Sequence, residues 1–204
     1  MPSSLSFGAI ILAAGRSRRM GRPKMLLPWG KTSVLGHLLA QWLRLGSEQI
    51  AVVCATGDRG LAAELDRLDF PADQLIANPS PGRGMFSSIQ CAARWPGWKP
   101  SVTHWAIALG DQPQLHFETL EATLALAAAK PDKVCQPSRG GRRRHPVILP
   151  KAVWALLVEA TAPTLKEFLE SLDCQVASFE SNDPGLDLDL DTPEDYEKAL
   201  GAKM

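Results

Sequence analysis

Ile10-Ile11-Leu12-Ala13-Ala14-Gly15-Arg16-Ser17-Arg18-Arg19-Met20-Gly21-Arg22-Pro23-Lys24 is the stretch around which the chain is organised. Its apolar head reads as a buried strand. Its tail carries two glycines and five cations and reads as a loop. Glycine lets backbone N–H groups come close to phosphate oxygens, while arginine and lysine add charge and directed donors. An apolar strand that empties into such a loop suits a polyphosphate. The plain alternative is a strand-to-loop turn with solvated arginines. Two standard phosphate motifs do not fit. The Walker pattern needs Gly-x4-Gly-Lys-Ser/Thr, but Gly15 and Gly21 stand six apart and Arg22 follows; Gly-x-Gly-x-x-Gly does not occur here either.

At 204 residues the chain has room for one α/β domain with a proper core, and two full domains would be cramped. The formal net charge is zero, which gives no support to a nucleic-acid or membrane-surface role. Cys54, Cys91, Cys135 and Cys174 are far apart without a Cys-x-x-Cys pair, so a zinc site is not expected; Cys54 and Cys135 sit in apolar runs and read as small core residues. Met-Pro-Ser-Ser-Leu-Ser at the start has neither the basic region nor the apolar run of a secretory signal, and the apolar runs are shorter than a membrane span. The cytoplasm is the expected compartment.

Outward from the opening stretch, apolar β-rich runs alternate with helical periodicity. Strands are expected at 7–13, 49–55, 74–77, 104–109, 133–136, 146–149, 175–179 and 186–190. Residues 14–31 read as a loop broken by Pro23, Pro28 and Gly30, and 138–145 as a basic glycine loop. Helices are expected from the Ser33 cap to about Gly46, over 58–68, 85–95 and 117–129, near 150–160 and 164–172, and over 193–200. The alternation predicts a single α/β domain over 1–204: a mainly parallel sheet with helices on both faces. Ligands in such folds sit beyond the carboxyl ends of the strands, where the opening loop, the Asn78 loop and Asp111 all emerge.

Several residues there can carry chemistry. Asp111 follows an apolar strand and Gly110, a position suited to Mg²⁺ or to an ordinary polar turn. Asp187, Asp189 and Asp191 alternate with leucines, so on a strand all three carboxylates would share one face and need solvent or a cation between them. For Asp187 a solvated edge is the preferred reading. Thr192 caps the last helix, with Pro193 at its first position. Asn78, Gly84, Ser87 and Ser88 belong to a turn that leads into a helix N-terminus, with N–H groups and hydroxyls to offer a ribose, a base edge or a phosphate, or simply to cap the helix. Arg139, Arg142, Arg143 and Arg144 crowd one loop beside His145, which Pro146 biases to an extended conformation.

Leu12, Ala13, Gly15, Ser17, Arg19, Met20, Gly21 and Lys24 match Leu-Ala-x-Gly-x-(Ser/Gly/Thr)-x-Arg-Met-Gly followed by lysine. The pattern resembles the signature of nucleotidyltransferases with an NTP-transferase fold. Gly110-Asp111-Gln112-Pro113 resembles that family's metal-binding turn, Asn78 to Ser88 its base-and-sugar loop, and Leu190-Asp191-Thr192-Pro193 its closing metal motif. His145-Pro146-Val147-Ile148-Leu149-Pro150 resembles one branch, the molybdenum cofactor cytidylyltransferases. These motifs occur in family order over nearly the whole chain.

The resemblance implies a nucleotide-diphospho-sugar transferase-like, Rossmann-type fold and transfer of CMP from CTP to the phosphate of molybdopterin or its molybdenum-loaded form. It implies a Mg²⁺ ion on Asp111 and Asp191, with Asp189 a weaker candidate. Leu12, Ala13, Ala14, Gly15, Arg16, Ser17, Lys24, Asn78, Gly84, Ser87 and Ser88 would hold the nucleotide, Lys24 and Arg19 would serve catalysis, and Arg142, His145 and Pro146 would face the acceptor. A methyl group at Ala14, where guanylyltransferases of the family usually have glycine, argues for a pyrimidine. The alternatives are a guanylyltransferase for the same cofactor, a cytidylyl- or uridylyltransferase for a sugar or alcohol phosphate, and a non-catalytic carrier of the cofactor. Delivery to a molybdoenzyme client is a further expectation.

Overall fold

The computed structural model describes residues 5–15, 17, 19–172 and 176–201. In chain order the elements are β1 (Phe7–Leu12), a short hairpin of β2 (Pro28–Trp29) and β3 (Thr32–Ser33), α1 (Val34–Arg44), β4 (Gln49–Ala55), α2 (Arg59–Arg67), β5 (Leu75–Asn78), α3 (Met85–Arg94), β6 (His104–Leu109) and α4 (Phe117–Ala129). Then come β7 (Val134–Arg139), β8 (Arg142–Arg143), β9 (Val147–Pro150), α5 (Lys151–Leu156), α6 (Leu165–Ser171), β10 (Val176–Glu180) and α7 (Pro193–Gly201).

The main sheet runs β10-β7-β9-β6-β1-β4-β5, with β8 hung on β7. β1 pairs in parallel with β4 and β6, β4 with β5, and β7 with β10; β9 runs antiparallel between β6 and β7. The six parallel strands therefore end on one edge, and the loops that follow them gather there. β1 shows why both faces must be covered: Ile10 is fully buried on one side of the sheet and Ala9 and Ile11 on the other. Helices α1, α2, α4 and α7 pack over the Ile11 face, and α3, α5 and α6 over the Ile10 face. This is the single-domain α/β architecture expected from the alternation of strands and helices.

The caps are local and readable. Ser33 accepts from the Gly36 N–H at 3.0 Å and Asp58 from the Leu61 N–H at 3.0 Å, so each satisfies a donor that its helix leaves open. Thr192 and Asp195 bond reciprocally at the start of α7. Under the β6–β9 half, Trp95, Trp98, Trp105 and Trp154 make an aromatic cluster. Trp105 and Trp154 stack at 4.8 Å with planes 6° apart, and Trp98 stands edge-on to both.

Three expectations are corrected. Residues 14–31 are not all loop: Lys24–Leu26 forms a 3-10 turn, and Gly30, at φ 64°, turns β2 into β3. Residues 138–145 contain a hairpin, because Gly140 and Gly141 both take positive φ and fold β8 back on β7. No strand forms at 186–190. Pro184–Asp187 is a 3-10 turn capped by Asp183, and the Leu190 N–H goes to the Asp111 carbonyl at 2.9 Å rather than to a neighbouring strand. The strand expected at 175–179 begins at Val176 here, and Gln175 lies outside the described residues. Among the described residues no helix is long and apolar enough to cross a membrane.

Candidate active site

The site begins where β1 and β6 end side by side. The Gly110 N–H donates to the Leu12 carbonyl at 3.1 Å. A Cβ on Gly110 would sit 2.6 Å from that carbonyl and 2.9 Å from the Met25 sulfur, so only glycine lets the two strand ends meet. The loop after Leu12 then folds back on itself: Ser17, at φ 46°, accepts from the Lys24 N–H at 3.1 Å. This fixes the Lys24 backbone beside Asp111. Arg16, a residue expected to hold nucleotide, lies outside the described residues.

Four charged side chains meet at this mouth. Lys24 Nζ lies 2.7 Å from Asp191 Oδ1 and 3.3 Å from Asp111 Oδ2, and Arg19 reaches Asp191 Oδ2 at 2.6 Å. The bond from Leu190 N–H to the Asp111 carbonyl brings the two acidic segments together although they are far apart in sequence. The hydrogen bond from Lys24, with the Lys24 and Arg19 charges, holds the Asp191 carboxyl below the usual carboxylate range. Asp189 behaves oppositely. Its side chain still reaches solvent, but crowding at the mouth, and next the Asp111 charge, push its carboxyl up. Gln112 donates to it at 2.9 Å. A small hollow of about 50 Å³, lined by Leu12, Ala13, Gly15, Ser17, Lys24 and Asp111 among others, opens above this cluster. Among the described residues outside its chain neighbours, none comes within 4 Å of where a Cβ on Gly15 would be, which leaves room for a ligand on that side.

The Asn78 segment is built differently. Asn78 is buried; its amide donates to the Ser87 and Ser88 hydroxyls, each at 2.9 Å, and its carbonyl oxygen accepts from the Ser80 N–H. The three side chains expected to touch nucleotide thus fasten the loop to the start of α3. Gly84, at φ 92°, turns the chain into that helix and leaves Met85 exposed toward a wide cleft.

That cleft, about 930 Å³, is walled by Arg142, Arg143, Arg144 and His145 on one side and by Thr164 and Lys166 of α6 on another. Arg142 and Arg143 are exposed and form no ion pair among the described residues. Arg139 and Arg144 are engaged: Asp187 accepts from Arg139 Nε at 3.0 Å and from two Arg144 nitrogens at 2.8 and 2.5 Å. The Arg144 hydrogen bonds in turn hold the Asp187 carboxyl low. Asp187 is therefore the anchor of the hairpin, where a merely solvated carboxylate was expected. Glu180 secures the other flank by accepting from Ser138 and the Gly140 N–H. His145 precedes a cis bond to the buried Pro146 and places Nδ1 3.3 Å from the Ile107 carbonyl of β6; burial pushes its pKa down. The Ile107 carbonyl and the Asp111 charge act the other way, and burial outweighs them.

The structure thus brings Lys24, Arg19, Asp111 and Asp191 into one cluster and sets Arg142 and His145 on the cleft wall, while Pro146, expected to face the acceptor, is buried behind that wall and does not line the cleft. Two contributors had no clear signal in the sequence. Lys166 looks like an ordinary helix-surface lysine, paired with Glu170 at 3.9 Å. Asp187 looked like part of a strand.

Among the described residues no three His, Cys, Asp or Glu side chains converge in a metal-holding group. Asp111 and Asp191 do converge on one cation, the Lys24 ammonium. Two carboxylates aimed at one point would also fit a divalent ion that takes its other ligands from substrate oxygens and water.

Residues 9–176 match the model of the MobA-like NTP transferase domain. The chain is 27% identical to the molybdenum cofactor cytidylyltransferase of Escherichia coli K12 over 92% of both proteins. It is 34% identical to a molybdenum cofactor guanylyltransferase of Mesorhizobium japonicum over 71% of this chain and 65% of that one. A solved structure, Rv0371c from Mycobacterium tuberculosis in complex with manganese, superposes with a TM-score of 0.71 over 98% of this chain and 100% of that one at 24% identity, a likeness of fold. The match over most of the chain and the cluster of motif residues at the strand ends have one conclusion: the chain belongs to the MobA-like NTP transferase family.

Proposed function

We propose that the protein transfers CMP from CTP to the terminal phosphate of molybdopterin or its molybdenum-loaded form in the cytoplasm, making a cytosine dinucleotide cofactor and pyrophosphate. The observation that carries the reading is the Lys24 ammonium bridging Asp111 and Asp191 at the glycine-lined hollow, together with the arginine-walled cleft whose His145 feels the Asp111 charge. Such a site joins two anions. The loop at Gly15 would take the triphosphate, and the cleft would take a second, larger anionic molecule.

The acceptor is a phosphate monoester with a second pKa of about 6, so it is mostly dianionic and nucleophilic at neutral pH. A general base is not required, and the residues at the mouth are cations and their carboxylate partners. The barrier is repulsion between two polyanions. Lys24 and Arg19 would neutralise the donor phosphates, backbone N–H groups at Gly15 would orient them, and Arg142 and Arg143 would draw the acceptor phosphate toward the same point. An acceptor oxygen attacks the α-phosphorus, the bond to the β-phosphate oxygen breaks, and pyrophosphate leaves. Asp111 and Asp191 would hold a divalent cation, Mg²⁺ in this reading, which supplies Lewis-acid polarisation of phosphoryl oxygens when bound. Asn78, Ser87 and Ser88 support the pocket by holding the loop that faces the base.

The base is argued from Ala14. Its methyl group takes space that glycine would leave to a purine, and the Escherichia coli relative is named as a cytidylyltransferase. A second reading, a guanylyltransferase for the same acceptor, is favoured by the higher identity to the Mesorhizobium relative. Pyrophosphate release with molybdenum cofactor, Mg²⁺ and each of CTP, GTP, UTP and ATP decides between them. Turnover with CTP supports the proposal; turnover with GTP alone leaves the site and overturns the Ala14 argument. Absence of release with all four nucleotides, beside tight cofactor binding, would indicate a carrier.

A further inference from the structure

We infer that Lys24 is an internal counter-ion that keeps the divalent-cation seat closed until a nucleotide arrives, so that metal and nucleotide enter together. The inference rests on the proposed metal-dependent reading and concerns how that site is regulated. Lys24 Nζ contacts both carboxylates, at 2.7 and 3.3 Å, and its side chain is largely buried, with 13% of its surface exposed. A Mg²⁺ or Mn²⁺ ion on the same two carboxylates would stand within a few ångströms of the ammonium. Two cations so close repel, the more so because Lys24 itself is largely shielded from solvent. Either Lys24 leaves or the metal stays out.

The backbone shows which part can move. The Lys24 N–H is bonded to Ser17, and its carbonyl accepts from Leu27, so the residue is held at the head of the 3-10 turn. The four-carbon stem alone can swing. It borders the hollow at Gly15, where a new anion would fit. Triphosphate there would give the ammonium a second anionic partner and leave Asp111 and Asp191 short of a cation, at the moment a metal-bound nucleotide brings one. Arg19 also contacts Asp191, through Oδ2, the oxygen that Lys24 does not take. The seat is thus neutralised in both states, by an ammonium before the nucleotide and by the incoming metal after it. A permanently open pair of carboxylates would instead trap metal without substrate.

Water-proton relaxation enhancement with Mn²⁺ tests this, because it separates protein-bound Mn²⁺ from Mn²⁺ on free nucleotide. The chain alone is expected to bind Mn²⁺ weakly, and with an α,β-methylene analogue of CTP or of GTP at least tenfold more tightly. Lys24→Met is expected to bind Mn²⁺ at least tenfold more tightly than wild type without nucleotide, Lys24→Arg to stay weak, and Lys24→Met with Asp111→Asn to lose the gain. Circular dichroism melts confirm that each variant folds. Equal Mn²⁺ binding by wild type and Lys24→Met, in a protein that does bind Mn²⁺ with nucleotide, overturns the inference and leaves the metal site standing. No bound Mn²⁺ in any variant, with or without analogue, overturns both.

Discussion

The two sides of the β6 terminus are built on opposite electrostatic plans. On the β1 side Lys24 and Arg19 are paired with Asp111 and Asp191 beside the Gly15 hollow, and the hollow is small. On the β9 side the cleft is many times larger, and its arginines outnumber the acids that hold them: Asp187 takes Arg139 and Arg144, and Arg142 and Arg143 are left outward. A small, charge-paired hollow is preorganised for one ligand in one pose, where a misplaced atom is costly. A wide cationic cleft attracts anions from a distance and tolerates several shapes. The comparison teaches that the chain separates the exacting task from the permissive one, with β6 as the partition.

The sharpest way to break this comparison is Asp111→Ala. On the exacting side the loss should fall on kcat, by about 10²–10³-fold or more, with the acceptor KM little changed, as steady-state pyrophosphate release would read. A loss confined to the acceptor KM would mean that the two sides are not separate. Gly110→Ala comes next. Its new Cβ meets the Leu12 carbonyl at 2.6 Å, so urea unfolding should show a loss of about 1–3 kcal/mol, with a further fall in activity as the strand ends part. Paired Arg142→Ala and Arg143→Ala should raise the acceptor KM roughly tenfold while the nucleotide KM holds, the pattern of lost charge-assisted contacts on the permissive side.

The smallest effect concerns His145, which stands on the partition. Burial holds its folded pKa below the ordinary value of about 6.5. The unfolded chain therefore takes up the proton first as pH falls. The stability contribution is fully present above that ordinary value and drains away below it, toward the lowered folded pKa. Thermal midpoints between pH 7 and 5 should decline for the wild type and decline less for His145→Gln. Parallel curves would show that His145 does not carry the dependence.

Much of the exacting side was legible in sequence because its parts are local. The break from Leu12 into Gly15, the turn at Gly110-Asp111, and the caps at Ser33 and Thr192 each announce themselves within a few residues. The bridge among Lys24, Asp111 and Asp191 joins segments far apart; the motif resemblance paired the two carboxylates, but the Lys24 contact to both is visible only in the folded chain. The permissive side was less legible for a physical reason. Asp187 alternates with leucines as a strand residue would, yet the Pro184-Gly185 turn and the bond from Leu190 to Asp111 remove it from any ladder. The β7–β8 hairpin was hidden because its arginines read as a charge run, although Gly140-Gly141 is a turn signal. Lys166 acquires its place only when α6 packs beside the cleft.

The tryptophan cluster gives the cleft side an optical signature of its own. Trp105 on β6 and Trp154 on α5 lie nearly parallel at 4.8 Å, close enough for their electronic transitions to couple and split into a paired band of opposite sign in circular dichroism. Trp29 and Trp42 belong to the other face of the sheet and stand outside this array. The amplitude of the split band therefore reports whether α5 is seated beneath β6 and β9, without a label. Loosening on the cleft side would be visible as a fading couplet while the far-ultraviolet helical signal persists.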